Sequence, residues 1–378
     1  AHIFPLMALA RGACVIEKHV TIDRADEWTD FQSALDKVEF KRFVQSVQKL
    51  SPLLDPVGPM NEDEKKYRQM FKKSPSFIAD LPKGHVLKDT DIEFVKDTQR
   101  AIPISSLSLE GKVLSQDVKK GELCKISRFE NSVGGVIVAR CTSDRLPNKA
   151  LRKIQGRETV ALVIDRIKRC KELDCLILAT STDPSDDPLV EIAEKEGVYL
   201  FRGSLDDVAS RFYKAAEHYG LSHFARITGD ALLCVEVMLD KAVESHLESG
   251  CDVTLMRNMP FGTHKEVVSV DAVRMVMEKA ITPSNTEYLE YYLENDRYFS
   301  VNYVESDYRF DERLRLTLDH EEDLRFMEAI FKHFNDTNPQ FSLEDLVAWL
   351  DENPDVVEIN AHLRQKFYSN ELNVELNI

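Results

Sequence analysis

The sequence predicts an α/β protein built on a doubly wound sheet, preceded by smaller elements. Three observations carry this expectation. From about residue 131 onward, strand-like apolar runs alternate with amphipathic helices, the order that a parallel sheet flanked by helices requires. Several of those runs are apolar at every position, as expected of strands covered on both faces. The length, 378 residues, exceeds the roughly 100–200 residues of a typical domain and predicts two or three of them.

The elements follow in order. Residues 1–52 open on an apolar helix-like run and reach a strand-like Cys14-Val15-Ile16. A second helix is predicted over Val38–Lys49, with Val38, Phe40, Phe43, Val44 and Val47 near helical spacing. The Pro/Gly-rich stretch SPLLDPVGP (51–59) reads as a linker. Residues 60–130 carry short apolar segments between Gly turns at Gly84, Gly111 and Gly121, a pattern that suits a small β-rich domain.

The third block spans 133–378. Strands are predicted at Val136–Val138, Leu176–Ala179, Val198–Phe201, Phe224–Ile227 and Val253–Met256. Helices are predicted between them at 157–171, 187–196, 205–219 and 235–248. The tail, 340–378, reads as mostly helical, with Leu343, Leu346, Val347 and Leu350 on one face.

Composition limits the function. With 49 Lys and Arg against 65 Asp and Glu, the chain carries a formal charge of −16, which argues against a nucleic-acid surface. No run approaches the length of a membrane span. Seven Cys at 14, 124, 141, 170, 175, 234 and 251 include no C-x-x-C pair. We therefore expect small buried hydrophobes and a reducing, cytoplasmic setting. The chain opens on Ala1 without a basic leader, and we expect it to be the middle of a longer product.

Ligands of an open α/β sheet bind beyond the carboxyl ends of its strands. After Ala139, the loop places Arg140, Thr142, Ser143, Arg145 and Lys149 within a few residues, a local exception in an acidic protein. Cations, hydroxyls and loop N–H groups together suit a triphosphate, although a solvated basic loop reads similarly. No Walker A sequence and no G-x-G-x-x-G is present. The strand ending Arg226-Ile227-Thr228-Gly229-Asp230 places Asp230 at the same edge, as a Mg²⁺ ligand or a helix cap. The turn Pro260-Phe261-Gly262-Thr263-His264-Lys265-Glu266 could bring a second polar group into the cleft.

The segments VIVARCTSDRLPNKAL, RITGD, LRLTLDHEEDLRFMEAIF and NPDVVEINAHLRQK, in this order, resemble the cytidylyltransferases of the spore-coat-polysaccharide type. These are relatives of the CMP-sialic acid and CMP-Kdo synthetases. The resemblance implies a GT-A-like, Rossmann-type nucleotidyltransferase fold. It also implies Mg²⁺-dependent transfer of CMP from CTP to a sialic-acid-like (nonulosonic) sugar, with release of pyrophosphate. It places Arg140, Ser143, Arg145 and Lys149 around the triphosphate and Asp230 on the metal. Arg140, Lys149 and Asp230 are then the catalytic set. Ala139, Thr142, Ser143, Arg145, Arg226, His264 and Glu266 bind substrate, and Glu266 is a second metal contact. Relatives carry a Pro-Asp-Gly-x-Asp-x-Glu turn where this chain keeps only Glu266 of the acids. A homodimer is expected by resemblance.

The segments GACVIEKHVTIDR and FKKSPSFIADLPKGHVL resemble the carboxyl-terminal end of a sialic acid (N-acetylneuraminate) synthase. That resemblance implies a truncated TIM-barrel end over 1–52, with His19 as a vestigial metal ligand. It also implies an antifreeze-like SAF domain over 60–130. An alternative is a bifunctional fragment whose SAF and transferase parts only bind sugar, nucleotide or partner.

Overall fold

The computed structural model describes residues 3–11, 13, 15–23, 25, 31–51, 63, 67, 71, 73–96, 109–143, 145–233, 235–279, 289–338 and 340–366. It divides into two units, Ala1–Tyr67 and Arg68–Ile378.

In the first unit, helices span Ile3–Ala10 and Lys37–Leu50, close to the sequence expectation. Asp36 caps the second helix, accepting from the amides of Val38 and Glu39 at 2.8 Å, while Glu39 accepts from the Asp36 amide at 3.1 Å. This reciprocal box satisfies donors that a helix start leaves free. The strand-like 14–16 run forms no strand at Val15 or Ile16, and Cys14 lies outside the described residues. Val20 pairs instead with Leu35 in a single parallel bridge.

The second unit begins with β-rich structure. Strands β1 (Lys73–Phe77) and β2 (Ile92–Lys96) pair antiparallel, and isolated bridges join Ser76 to Leu123, Val86 to Val113 and Leu114 to Phe129. Phe77, Leu87, Leu114 and Cys124 are buried beneath them. Lys112 pairs with Asp174, whose other oxygen accepts from the Val133 amide at 2.8 Å. The β-rich segment is thereby joined to the first strand of the large sheet.

A hairpin, β4 (Lys153–Ile154) and β5 (Arg157–Glu158), stands apart from the main sheet. The main sheet comprises β3 (Val133–Val138), β6 (Cys175–Ser181), β7 (Tyr199–Gly203), β8 (His223–Thr228), β9 (Val253–Arg257), β10 (Glu266–Ser269) and β11 (Val301–Glu305). Their spatial order is β11-β9-β10-β8-β3-β6-β7. Only β10 runs antiparallel to its neighbours, between β8 and β9. The sequence pattern foresaw the five strands from β3 to β9 and not the reversal, because a four-residue strand has no length to show a period.

Helices Thr159–Ile167, Asp187–Glu196, Val208–Tyr219 and Glu236–Ser249 fall where expected, and the tail helix Leu343–Glu352 buries Leu343, Leu346, Val347 and Leu350. Glycines at 197, 220 and 250 end three of these helices with positive φ. The apolar core lies on both faces of the sheet. Among the described residues no helix is long and apolar enough to cross a membrane.

Candidate active site

The chain reverses its winding between β3 and β8. From β3 it moves outward to β6 and β7, then returns to β8 on the other side. That switch opens a crevice beyond the carboxyl ends of β3 and β8. The two strand ends approach closely, since the Gly229 amide donates to the Val138 carbonyl at 2.8 Å. A Cβ on Gly229 would lie 2.9 Å from Ala139 Cβ, so only glycine fits there.

The loop after β3 is anchored at its base. Buried Asp186 accepts from the Cys141 amide at 2.7 Å and from Thr180 Oγ1 at 2.9 Å, and it also holds Ser181. The chain turns at Asn148, with φ 55°, and its amide returns to the Cys141 carbonyl at 3.2 Å. Asn tolerates this left-handed geometry better than most residues. The turn sends Lys149 back over the crevice.

Lys149 Nζ lies 2.7 Å from Asp230 Oδ2 and 3.1 Å from Asp319 Oδ1. Arg145 Nη2 reaches the same Asp319 oxygen at 3.0 Å. Burial alone would raise the Asp230 carboxyl; the Lys149 charge and a Thr228 hydrogen bond outweigh it and hold the group below the ordinary carboxylate value. Burial would likewise lower Lys149, but Asp230 and then Asp319 carry it above the usual lysine value. Asp230 is not a helix cap. The next helix begins at Glu236, with Val235 in the cap position.

The sequence gives Asp319 no role beyond its place in the motif LTLDHEEDL. Its support is extensive. Arg315, fully buried, donates to Asp319 Oδ2 at 2.9 Å and to Asp323 Oδ1 at 3.0 Å. Asp323 also accepts from the amides of Asp319 and His320 at 2.9 Å each, and Asn360 Nδ2 reaches its other oxygen at 2.9 Å. The segment carrying Asp319 lies against both other parts of the crevice. Leu318 donates to the Asp230 carbonyl at 3.2 Å, and Leu316 donates to the Phe261 carbonyl at 2.7 Å.

The remaining expected residues fall as follows. Ala139 is buried beneath the loop; Thr142 is exposed and Ser143 half-buried. Arg140 is exposed and donates to the Leu205 carbonyl at 3.4 Å. Arg226 and Glu266 face each other across β8 and β10 in a two-bond pair at 3.0 and 3.1 Å, so Glu266 is engaged by a cation of the protein itself. His264 lines a cavity of about 610 Å³ with Asn258, Phe261, Tyr308, Arg309 and Phe310. His19 is exposed in the first unit, and among the described residues no group of three or more His, Cys, Asp or Glu is placed to hold a metal. Cys124, Cys141, Cys170, Cys175 and Cys251 are buried, and burial pushes the Cys141 thiol up to about 12. That makes Cys141 an inert thiol beside the crevice, not a nucleophile.

The donor set fits a hard divalent cation. Two carboxylates converge on one positive centre, which the Lys149 ammonium now supplies, and Mg²⁺ commonly takes one or two carboxylates plus phosphate and water oxygens.

A cytidylyltransferase family model matches residues 135–371, and a NeuB family model matches residues 1–56. The chain is 31% identical over 232 residues to the spore coat polysaccharide biosynthesis protein SpsF of Bacillus subtilis, covering 60% of this chain and 96% of that protein. It is 33% identical over 126 residues to a pseudaminic acid synthase of Campylobacter jejuni, covering 33% of this chain and 36% of the synthase. A cytidylyltransferase structure from Leptospira borgpetersenii superposes with a TM-score of 0.56 at 25% identity, over 65% of this chain and 100% of that one. The chain therefore belongs to the cytidylyltransferase family, with a NeuB-like segment in front of the transferase domain.

Proposed function

We propose that the chain transfers CMP from CTP to a sialic-acid-like, nonulosonic sugar in surface-polysaccharide biosynthesis, releasing pyrophosphate with Mg²⁺ bound. The observation that carries this reading is the convergence of Asp230 and Asp319 on Lys149 at the sheet's switch point. The NeuB-like segment supports the sugar class, because the synthase it resembles is named for pseudaminic acid. We read that segment as a barrel end and the β-rich segment after it as a SAF domain.

Asp230 and Asp319 would hold the metal, which when bound supplies charge neutralisation on the phosphates. The protein's own groups do the rest. Lys149 and Arg145 are positioned to move from the two carboxylates onto phosphate oxygens as negative charge shifts toward departing pyrophosphate. Arg315 and Asp323 keep Asp319 in place while this happens. No protein nucleophile is required, since the sugar hydroxyl attacks the α-phosphorus. The cavity containing His264, Tyr308 and Arg309 is the acceptor's place in this reading.

The test is incubation with CTP, Mg²⁺ and a panel of nonulosonic acids, following pyrophosphate and the CMP-sugar by mass spectrometry. Equimolar pyrophosphate and CMP-sugar is the expected result. Silence across the panel, with no heat of CTP binding, would overturn it.

A further inference from the structure

Arg211 is an anomaly among the charged groups of this molecule. It lies in the first turn of the Val208–Tyr219 helix, and only 2% of its surface is exposed. The other two buried arginines among the described residues have carboxylate partners: Arg315 has Asp319 and Asp323, and Arg166 has Glu236 at 3.5 Å. Arg211 has none. Its Nε meets no acceptor, and its Nη1 donates only to the Ala139 carbonyl, at a long 3.4 Å. Asp186, an acid whose charge reaches it, is bonded to Cys141, Thr180 and Ser181. Asp207, another, caps the helix through the Ser210 amide at 2.8 Å.

Of the neighbouring charges that bear on Arg211, the strongest is another cation. Burial and then the charge of Arg140 push its guanidinium below the ordinary arginine value. An arginine nonetheless stays protonated, so two like charges stand together at the carboxyl edge of β3. A buried charge with no partner is strongly unfavourable unless a ligand completes it. The site is also shaped for this side chain. A Cβ on Gly203, at the end of β7, would lie 3.1 Å from Arg211 Cγ and 2.9 Å from the Phe201 ring. Glycine there leaves the room in which the arginine stem lies.

We propose that Arg211, with Arg140, forms an anion-accepting pair for the phosphate chain of the nucleotide, and that Arg211 is a nucleotide-binding residue rather than a structural one. This rests on the nucleotide reading above and adds to it a residue from a different part of the chain. The phosphates are the anion of choice because Ala139, which Arg211 contacts, opens the loop that carries Thr142, Ser143 and Arg145. Binding removes the repulsion between the two guanidinium groups, so the nucleotide stabilises the fold through them.

The experiment compares the wild-type chain with Arg211→Met and Arg211→Lys by melting temperature and calorimetry. Pyrophosphate, CTP with Mg²⁺, and N-acetylneuraminate are added separately. Without ligand, Arg211→Met is expected to melt at or above the wild type, because an uncompensated buried charge is gone. Its affinity for pyrophosphate and CTP is expected to fall at least tenfold, with Arg211→Lys recovering part of it. In the wild type, the side-chain Nε–H resonance that disappears in Arg211→Lys is expected to shift on adding pyrophosphate.

Unchanged CTP and pyrophosphate affinity in Arg211→Met, or an unmoved resonance, would overturn the proposal while leaving the nucleotide reading intact. Loss confined to N-acetylneuraminate would overturn it in favour of the acceptor's carboxylate. A large drop in unliganded stability would overturn it in favour of a structural role. A wild type that binds neither CTP nor pyrophosphate would remove the nucleotide reading itself.

Discussion

Asp230 and Asp319, 89 positions apart in the chain, hold the same ammonium group, with Lys149 Nζ at 2.7 and 3.1 Å from their oxygens. The first comes from the end of β8 and the second from the segment before the Glu321–Thr337 helix. Two carboxylates brought together need a cation, and here the Lys149 ammonium supplies it.

Replacing either acid by its amide should separate binding from turnover. Asp230→Asn and Asp319→Asn are expected to lower kcat by about a hundredfold or more, the scale of a lost transition-state charge contact, with a smaller change in CTP affinity. Steady-state pyrophosphate release beside calorimetry with CTP measures both quantities.

Arg145 is half exposed and bonded to Asp319 at 3.0 Å, so removing it costs the fold little. Arg145→Ala is expected to weaken CTP binding by about tenfold or more, from the loss of a charged hydrogen bond, and to leave the melting temperature within a few degrees of the wild type. An unchanged Kd for CTP would return the loop to the status of a solvated basic surface.

Arg315 answers two acids with no exposed surface of its own. Arg315→Leu leaves buried Asp323 without its guanidinium partner, while Asp319 keeps Lys149 and Arg145, and is expected to cost about 3–5 kcal/mol in urea unfolding. Loss of stability and loss of activity should appear together here.

The amino-terminal ends of β8 and β9 carry a pH-dependent element remote from the crevice. His246 is fully buried, bonded to His223 and to Thr254 Oγ1 at 3.0 Å each. Burial, and then the neighbouring His223, lower it to about 4. The unfolded chain binds a proton near the ordinary histidine value while the folded one does not, so stability falls as pH drops from about 6.5 toward 4. The contribution of His246 to that fall is on the order of 3 kcal/mol. Urea unfolding at pH 7 and pH 5 should show a smaller difference in His246→Gln than in the wild type.

Much of the sheet was legible because β3 and β6 are buried on both faces and read as apolar runs between helices with strong periodicity. The direction of β10 was not, since Glu266-Val267-Val268-Ser269 is too short to announce it. Lys149 and Asp230 were legible from their places after strands. Asp319 is not legible from its motif, because its meaning depends on a fold that carries it 170 positions back to Lys149. Arg211 was invisible for a related reason: an arginine in an amphipathic helix reads as surface, and only packing shows that it is buried. The expectation for Glu266 came from a turn whose other acids are absent here, and in the structure Glu266 faces Arg226 instead.

The most direct test of the account is a Mn²⁺ titration in the presence of CTP, read by electron paramagnetic resonance, for the wild type, Asp230→Asn and Asp319→Asn. The account predicts a CTP-dependent bound ion in the wild type, weakened at least tenfold in both variants. An Asp319→Asn protein that binds the ion as the wild type does would contradict it.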